Sequence, residues 1–220
     1  MSLNDNLNTI YKELKPYNAQ LVAVSKTKPI EAILEAYNAG QRIFGENKVQ
    51  EMVEKYEALP KDIQWHLIGH LQTNKVKYIA SFVSLIQSVD SFKLLQEINK
   101  EAAKNNRIID CLLQIHIAKE ETKFGLSFDE AKKIIFSPET KALKNIKIVG
   151  LMGMATNTDN QEQIREEFRT LHKFFLNSQF STINSQLSMG MSSDYKIAIE
   201  EGSNLVRIGS AIFGERNYTH

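Results

Sequence analysis

Lys26 ends an apolar run, Leu21-Val22-Ala23-Val24-Ser25-Lys26. In an extended strand Val22, Val24 and Lys26 would share one face, so valines filling an interior would aim the lysine into its mouth. An amine held in a partly desolvated mouth has a lowered pKa and becomes nucleophilic, which is what a Schiff base with an aldehyde requires. The alternative is a strand-end lysine that reaches solvent along its own stem. A second group lies near the C-terminus: Arg207, Gly209 and Ser210 ahead of the short apolar segment Ala211 to Phe213, with Ser188-Met189-Gly190-Met191-Ser192-Ser193-Asp194 upstream. Glycine admits close backbone approach, hydroxyls donate, and N–H groups at a helix start favour an anion, so these residues suit a phosphate. They equally suit an ordinary Gly/Ser turn with a helix cap. His66 and His70, four apart, could share a strand face, but no third ligand stands nearby at metal spacing and no metal site is expected. Nucleophile-elbow, Walker, dinucleotide and paired-cysteine motifs are absent.

These groups need elements to hold them. Eight β-rich runs recur: Leu21 to Lys26, Arg42 to Gly45, Ile63 to Gly69, Leu85 to Val89, Asp110 to Ile117, Ile146 to Met154, Gln186 to Met191, and Leu205 to Ser210. Segments with helical period lie between them, such as Ile30, Ile33, Leu34 and Tyr37, and later Ile164, Phe168, Leu171 and Phe175. Pro29 suits a first helical turn, Gly40 the position past the last, and Ser127 to Glu130 a capping box. Apolar strands alternating with crossover helices predict a parallel sheet covered by helices. Eight units fit a single closed (β/α)8 TIM barrel, with an open doubly wound sheet as the alternative. Leu3 to Leu14 predicts an extra N-terminal helix outside the barrel. No Gly/Ser/Pro linker divides the chain, so residues 1–220 are expected to form one domain.

Composition narrows the partners. Over 220 residues, 27 Lys and Arg nearly cancel 26 Asp and Glu, and no basic stripe appears, which disfavours nucleic acid. No apolar run approaches the roughly 20 residues that span a bilayer. The N-terminal segment lacks the apolar core of a signal peptide, and the single Cys111 sits in an apolar run where it reads as a buried core thiol. A cytoplasmic protein is expected. Tyr11, Tyr17, Trp65 and the phenylalanines fall at packing spacing and are expected to be buried, not to stack on bases.

Five ordered blocks carry a resemblance: Val24-Ser25-Lys26-Thr27-Lys28-Pro29, Phe44-Gly45-Glu46-Asn47, Trp65 to Gly69 with Leu71 to Lys75, Leu187 to Ser192, and Val206 to Gly214. They resemble the YggS/PROSC family of pyridoxal-phosphate homeostasis proteins, from about residue 7 to Tyr218. The resemblance implies a barrel like the alanine racemase N-terminal domain and pyridoxal 5'-phosphate as cofactor. It implies that Lys26 forms the Schiff base, that Arg207 meets the pyridine nitrogen, that Ser188, Gly209 and Ser210 cradle the phosphate, and that Asn47 lines the cofactor. A guanidinium donates only and keeps that nitrogen unprotonated, which makes the ring a poorer electron sink. Two departures fall at expected mouth loops: His70 stands where many members have proline, and Gly153 to Asn157 differs from the commoner wording.

The resemblance implies a carrier of pyridoxal phosphate in vitamin B6 homeostasis without robust catalysis, with cofactor-dependent apoenzymes as possible recipients. The alternative is an amino-acid racemase. That chemistry needs a tyrosine base from a second domain, which the ten residues from Ala211 to His220 are not expected to supply. A protein-interaction module is a third class, and it would have no need of Lys26. No self-complementary patch is visible, so a monomer is the default.

Overall fold

The computed structural model describes residues 2–120, 124–178, 180 and 185–214. Eight parallel strands close in chain order into a barrel: β1 (Gln20–Val24), β2 (Ile43–Glu46), β3 (Gln64–Leu67), β4 (Leu85–Val89), β5 (Ile109–Ile115), β6 (Ile146–Gly153), β7 (Gln186–Ser188) and β8 (Leu205–Ile208). β8 pairs back onto β1 through Gln20 with Leu205 to Ala23 with Ile208. Closure excludes the open doubly wound sheet. Helices between the strands cover its outer face, and the bulk of the core lies between strands and helices, with Phe44, Trp65, Leu67, Ile86 and Phe168 fully buried. A smaller cluster of Val22, Leu85, Leu112, Val149, Met152 and Leu205 fills the inside. Alternation puts successive side chains of one strand into these two layers, which is why the strands read as unbroken apolar runs.

The helix signals acted through their expected mechanisms. The extra helix Leu3–Leu14 has Ser2 and Asp5 as a capping box, and helix Phe128–Phe136 has Ser127 and Glu130 as another. Gly40, at φ +102°, follows the C-cap Ala39 of helix Ile30–Asn38. Pro29 is the N-cap of that helix, one position earlier than expected, because its ψ of 162° is extended. Tyr17, Phe124 and Phe136 are exposed, contrary to the expectation of burial; Tyr17 lies in the short 3-10 helix Lys15–Tyr17, which has no buried residue. Cys111 is fully buried in β5, and burial raises its thiol pKa well above the usual range. The first helix also touches the far end of the chain: Asn6 Nδ2 donates to Ile212 O at 3.0 Å.

The expected strands overran at their carboxyl ends. β1 stops at Val24, β3 at Leu67, β7 at Ser188 and β8 at Ile208. Lys26, Gly69, Met191 and Ser210 lie past the strand ends there and line the mouth of the barrel. His70 therefore lies outside β3 and does not share a strand face with His66. Among the described residues no group of three or more His, Cys, Asp or Glu side chains is placed to hold a metal ion.

Candidate functional site

A cavity of about 490 Å³ opens at the carboxyl ends of the strands, where barrels of this kind carry their chemistry. Lys26, Asn47, Arg207, Gly209 and Ser210 all line it, so five of the six residues singled out in the sequence come together. Lys26 reaches it from the turn after β1. Val22 does point into the barrel interior and Val24 into the cavity, as alternation requires, but Lys26 lies two residues past the strand end.

Asn47 is brought in by a close approach of two loops. A Cβ built on Gly69 would lie 2.4 Å from Asn47 O and 2.7 Å from its Cα, so only glycine lets the end of β3 pass against the end of β2. Arg207 rises from β8 with 3% of its surface exposed. Its Nη1 donates to Ser188 Oγ at 2.5 Å and its Nη2 to Gly153 O at 3.0 Å. Burial pulls its pKa down to about 10, opposed by the nearby Asp194 carboxylate, so the guanidinium stays charged at neutral pH.

Ser188 is the residue the structure does not bring to the cavity. Its hydroxyl is wholly buried, accepting from Arg207 and donating to Gln87 Oε1 at 2.6 Å. Gln87 Nε2 in turn lies 3.0 Å from His66 Nδ1. Burial lowers the His66 pKa to about 3, so the ring is neutral and Nδ1 accepts. The chain His66, Gln87, Ser188, Arg207 crosses the inside of the barrel from β3 to β8 and fixes the guanidinium from below. Because β7 ends at Ser188, that side chain still belongs to the packed interior, one layer beneath the mouth.

Of the same segment, Ser192 and Ser193 reach the mouth. Ser192 is tied to the turn after β8, where its Oγ accepts from Gly209 N at 3.2 Å and from Ala211 N at 3.4 Å. The sequence signal was present in the Met189 to Ser193 segment but did not separate one hydroxyl from another. Gln87 was missed; a glutamine whose strand neighbours are all buried is the mark that could have found it. Lys28 lines the cavity too, its Nζ donating to Phe213 O and Gly214 O, both at 3.1 Å. On the opposite rim His70 stacks on Phe124 with centroids 4.2 Å apart, while its Nδ1 lies 3.0 Å from Asp90 Oδ2. Both departures from the family wording, at His70 and Met154, do fall at the mouth.

The lining holds Lys26, Lys28 and Arg207 and, among the described residues, no aspartate or glutamate. Such a cavity suits an anionic ligand, and its amine suits one with an electrophilic carbon.

Fold and site together define a (β/α)8 barrel whose first strand leads to a lysine and whose last strands end in a glycine- and serine-lined rim. Over residues 1–217 the chain matches the family described as alanine racemase, N-terminal domain. It belongs to that family and, within it, to the pyridoxal phosphate homeostasis proteins. The chain is 45% identical over 203 residues to the pyridoxal phosphate homeostasis protein of Aquifex aeolicus, covering 91% of this chain and 88% of that one. It is 38% identical to that of Haemophilus influenzae over 100% of this chain and 98% of the relative. PipY of Synechococcus elongatus with pyridoxal phosphate (PLP) bound superposes with a TM-score of 0.86 at 34% identity, covering 97% of this chain and all of that one. Alanine racemase of Bartonella henselae shares the fold at a TM-score of 0.72 and 17% identity, with 98% of this chain covering 60% of that enzyme.

Proposed function

We propose that this protein holds pyridoxal 5'-phosphate on Lys26 and serves as a non-catalytic carrier of that cofactor in the cytoplasm, residues 1–220 acting as one monomeric domain. The observation that carries this reading is the cationic cavity in which Lys26 and Arg207 meet without a carboxylate among the described lining residues. The names of the relatives and the ligand of PipY support it. When bound, the cofactor supplies an aldehyde that condenses with a primary amine.

This chain's residues supply the rest. Lys26 offers the amine. Ser210, through its backbone N–H and hydroxyl, and Ser192, through its hydroxyl, receive the phosphate beside Gly209. Asn47 lines the side near the lysine. Arg207, held by Ser188 and Gly153 O, presents N–H donors to the pyridine nitrogen and leaves it no proton. A ring so held is a poorer electron sink and stabilises less carbanion character. Cofactor-dependent apoenzymes are the proposed recipients. No helix among the described residues is long and apolar enough to cross a membrane.

The test is borohydride reduction of the protein mixed with pyridoxal phosphate, followed by peptide mass mapping. The expected result is one modified peptide containing Lys26, absent from Lys26→Ala. Modification of another lysine, or none, overturns the assignment. Steady turnover of an amino acid that Lys26→Ala abolishes would favour the racemase instead.

A further inference from the structure

The turn that carries Lys26 is fastened from both sides by one buried cluster. Lys55, on helix Val49–Ala58, has a side chain only 6% exposed. Its ammonium donates to Ser25 O at 2.7 Å, Glu46 Oε1 at 2.8 Å and Glu51 Oε1 at 2.7 Å. Those bonds use all three donors, so its own nitrogen is committed. The carboxylates then return to the turn. Ser25 Oγ donates to Glu46 Oε1 at 2.6 Å, and Thr27 N donates to Glu51 Oε1 at 2.5 Å. The residues immediately before and after Lys26 thus end on oxygens that Lys55 holds together.

Thr27 sits at φ +64°, a left-handed conformation that costs a β-branched residue on the order of 1–3 kcal/mol and persists only where its surroundings impose it. Lys28 N, donating to Ser25 O at 3.0 Å, closes the turn around the lysine. The cluster is expensive in its own right: Glu46 is fully buried and its Oε2 has no partner among the described residues. A barrel that needed only stability would gain as much from apolar packing at this position.

We propose that Lys55 is a positioning residue, which through Glu46 and Glu51 holds the turn after β1 in the strained form that aims Lys26 into the cavity. This rests on the role given to Lys26 above. The position of an attacking amine matters steeply, since displacement by about 1 Å costs up to the order of a hundredfold in rate.

The experiment compares two ligands on Lys55→Met, which keeps the unbranched stem of the side chain and removes the ammonium with its donors. Pyridoxal 5'-phosphate reports capture by Lys26 through absorbance and borohydride labelling; pyridoxine 5'-phosphate has the same ring and phosphate without an aldehyde and reports the rest of the site. The expected result is capture slowed on the order of tenfold to a hundredfold with little change in affinity for pyridoxine 5'-phosphate. Lys55→Arg should recover part of the rate. Equal losses for both ligands would mean a merely structural role, and unchanged capture would overturn the proposal outright. Should Lys55→Met not fold, Glu51→Gln, at a partly exposed carboxylate, must show the same split with a smaller amplitude. Wild-type protein labelled elsewhere than Lys26 would instead refute the parent reading, so the two failures are distinct.

Discussion

Replacing Gly69 by alanine tests whether close packing of two loops sets the position of Asn47. The new Cβ would stand 2.4 Å from Asn47 O and 2.7 Å from Asn47 Cα, against a practical floor near 3.0 Å for such contacts. Relief therefore needs a shift of about 0.6 Å, and the atoms that must give are backbone, not the tip of a flexible side chain. Overpacking of this kind costs about 1–3 kcal/mol. For a chain of 220 residues that lowers Tm by about 2–4 °C per kcal/mol, hence by roughly 2–12 °C. The same shift displaces Asn47 from the cavity wall, so affinity for pyridoxine 5'-phosphate should fall as well. Differential scanning calorimetry and a fluorescence titration measure the two effects. A Gly69→Ala protein that melts within about a degree of wild type, with unchanged affinity, would show that the loops yield freely and that glycine is not required there.

Two further outcomes follow from the buried chain beneath Arg207. His66 keeps a pKa of about 3 in the fold against 6.5 when unfolded, so between those values only the unfolded state takes the proton. Stability should fall as pH drops from about 6.5 towards 3, by up to about 1.4 kcal/mol per unit from this residue. His66→Gln should flatten that slope in urea unfolding series, and parallel slopes for the two proteins would contradict it. Ser188→Ala removes the acceptor under Arg207 without touching the cavity lining. It should shift the absorption maximum of the pyridoxal-phosphate-loaded protein while phosphate affinity holds; a loss of affinity with no spectral change would return Ser188 to the phosphate.

The eight-unit barrel was legible because apolar runs and capped helices repeat with fixed punctuation, each governed by local physics such as the Ser127 and Glu130 box. Lys26 was legible as a lysine that an apolar strand leads to. Strand ends were not: whether Ser188 still pairs and whether Lys26 has left the ladder depend on the neighbouring strand, which periodicity along one segment does not record. The resemblance implied a phosphate role for Ser188, and periodicity could not show that Ser188 stays in the packed interior while Ser192 lines the cavity. The Lys55, Glu46 and Glu51 cluster was invisible for the same reason. Its members come from β2 and the helix after it, and in sequence only Glu51 and Lys55, four apart, read as one charged helix face.

The hydrogen bond from Asn6 to Ile212 O and the two from Lys28 to Phe213 O and Gly214 O all end on the carboxyl end of the short helix Ser210–Phe213 and its cap Gly214. The supernumerary first helix is thereby a strut under the rim, bracing from outside the barrel the short helix whose opposite end meets the cavity. Trimming or fusing the N-terminal segment would be transmitted to the anion seat, so affinity tags near Ser2 and comparisons between shortened variants call for a binding control before any difference is blamed on the cavity itself.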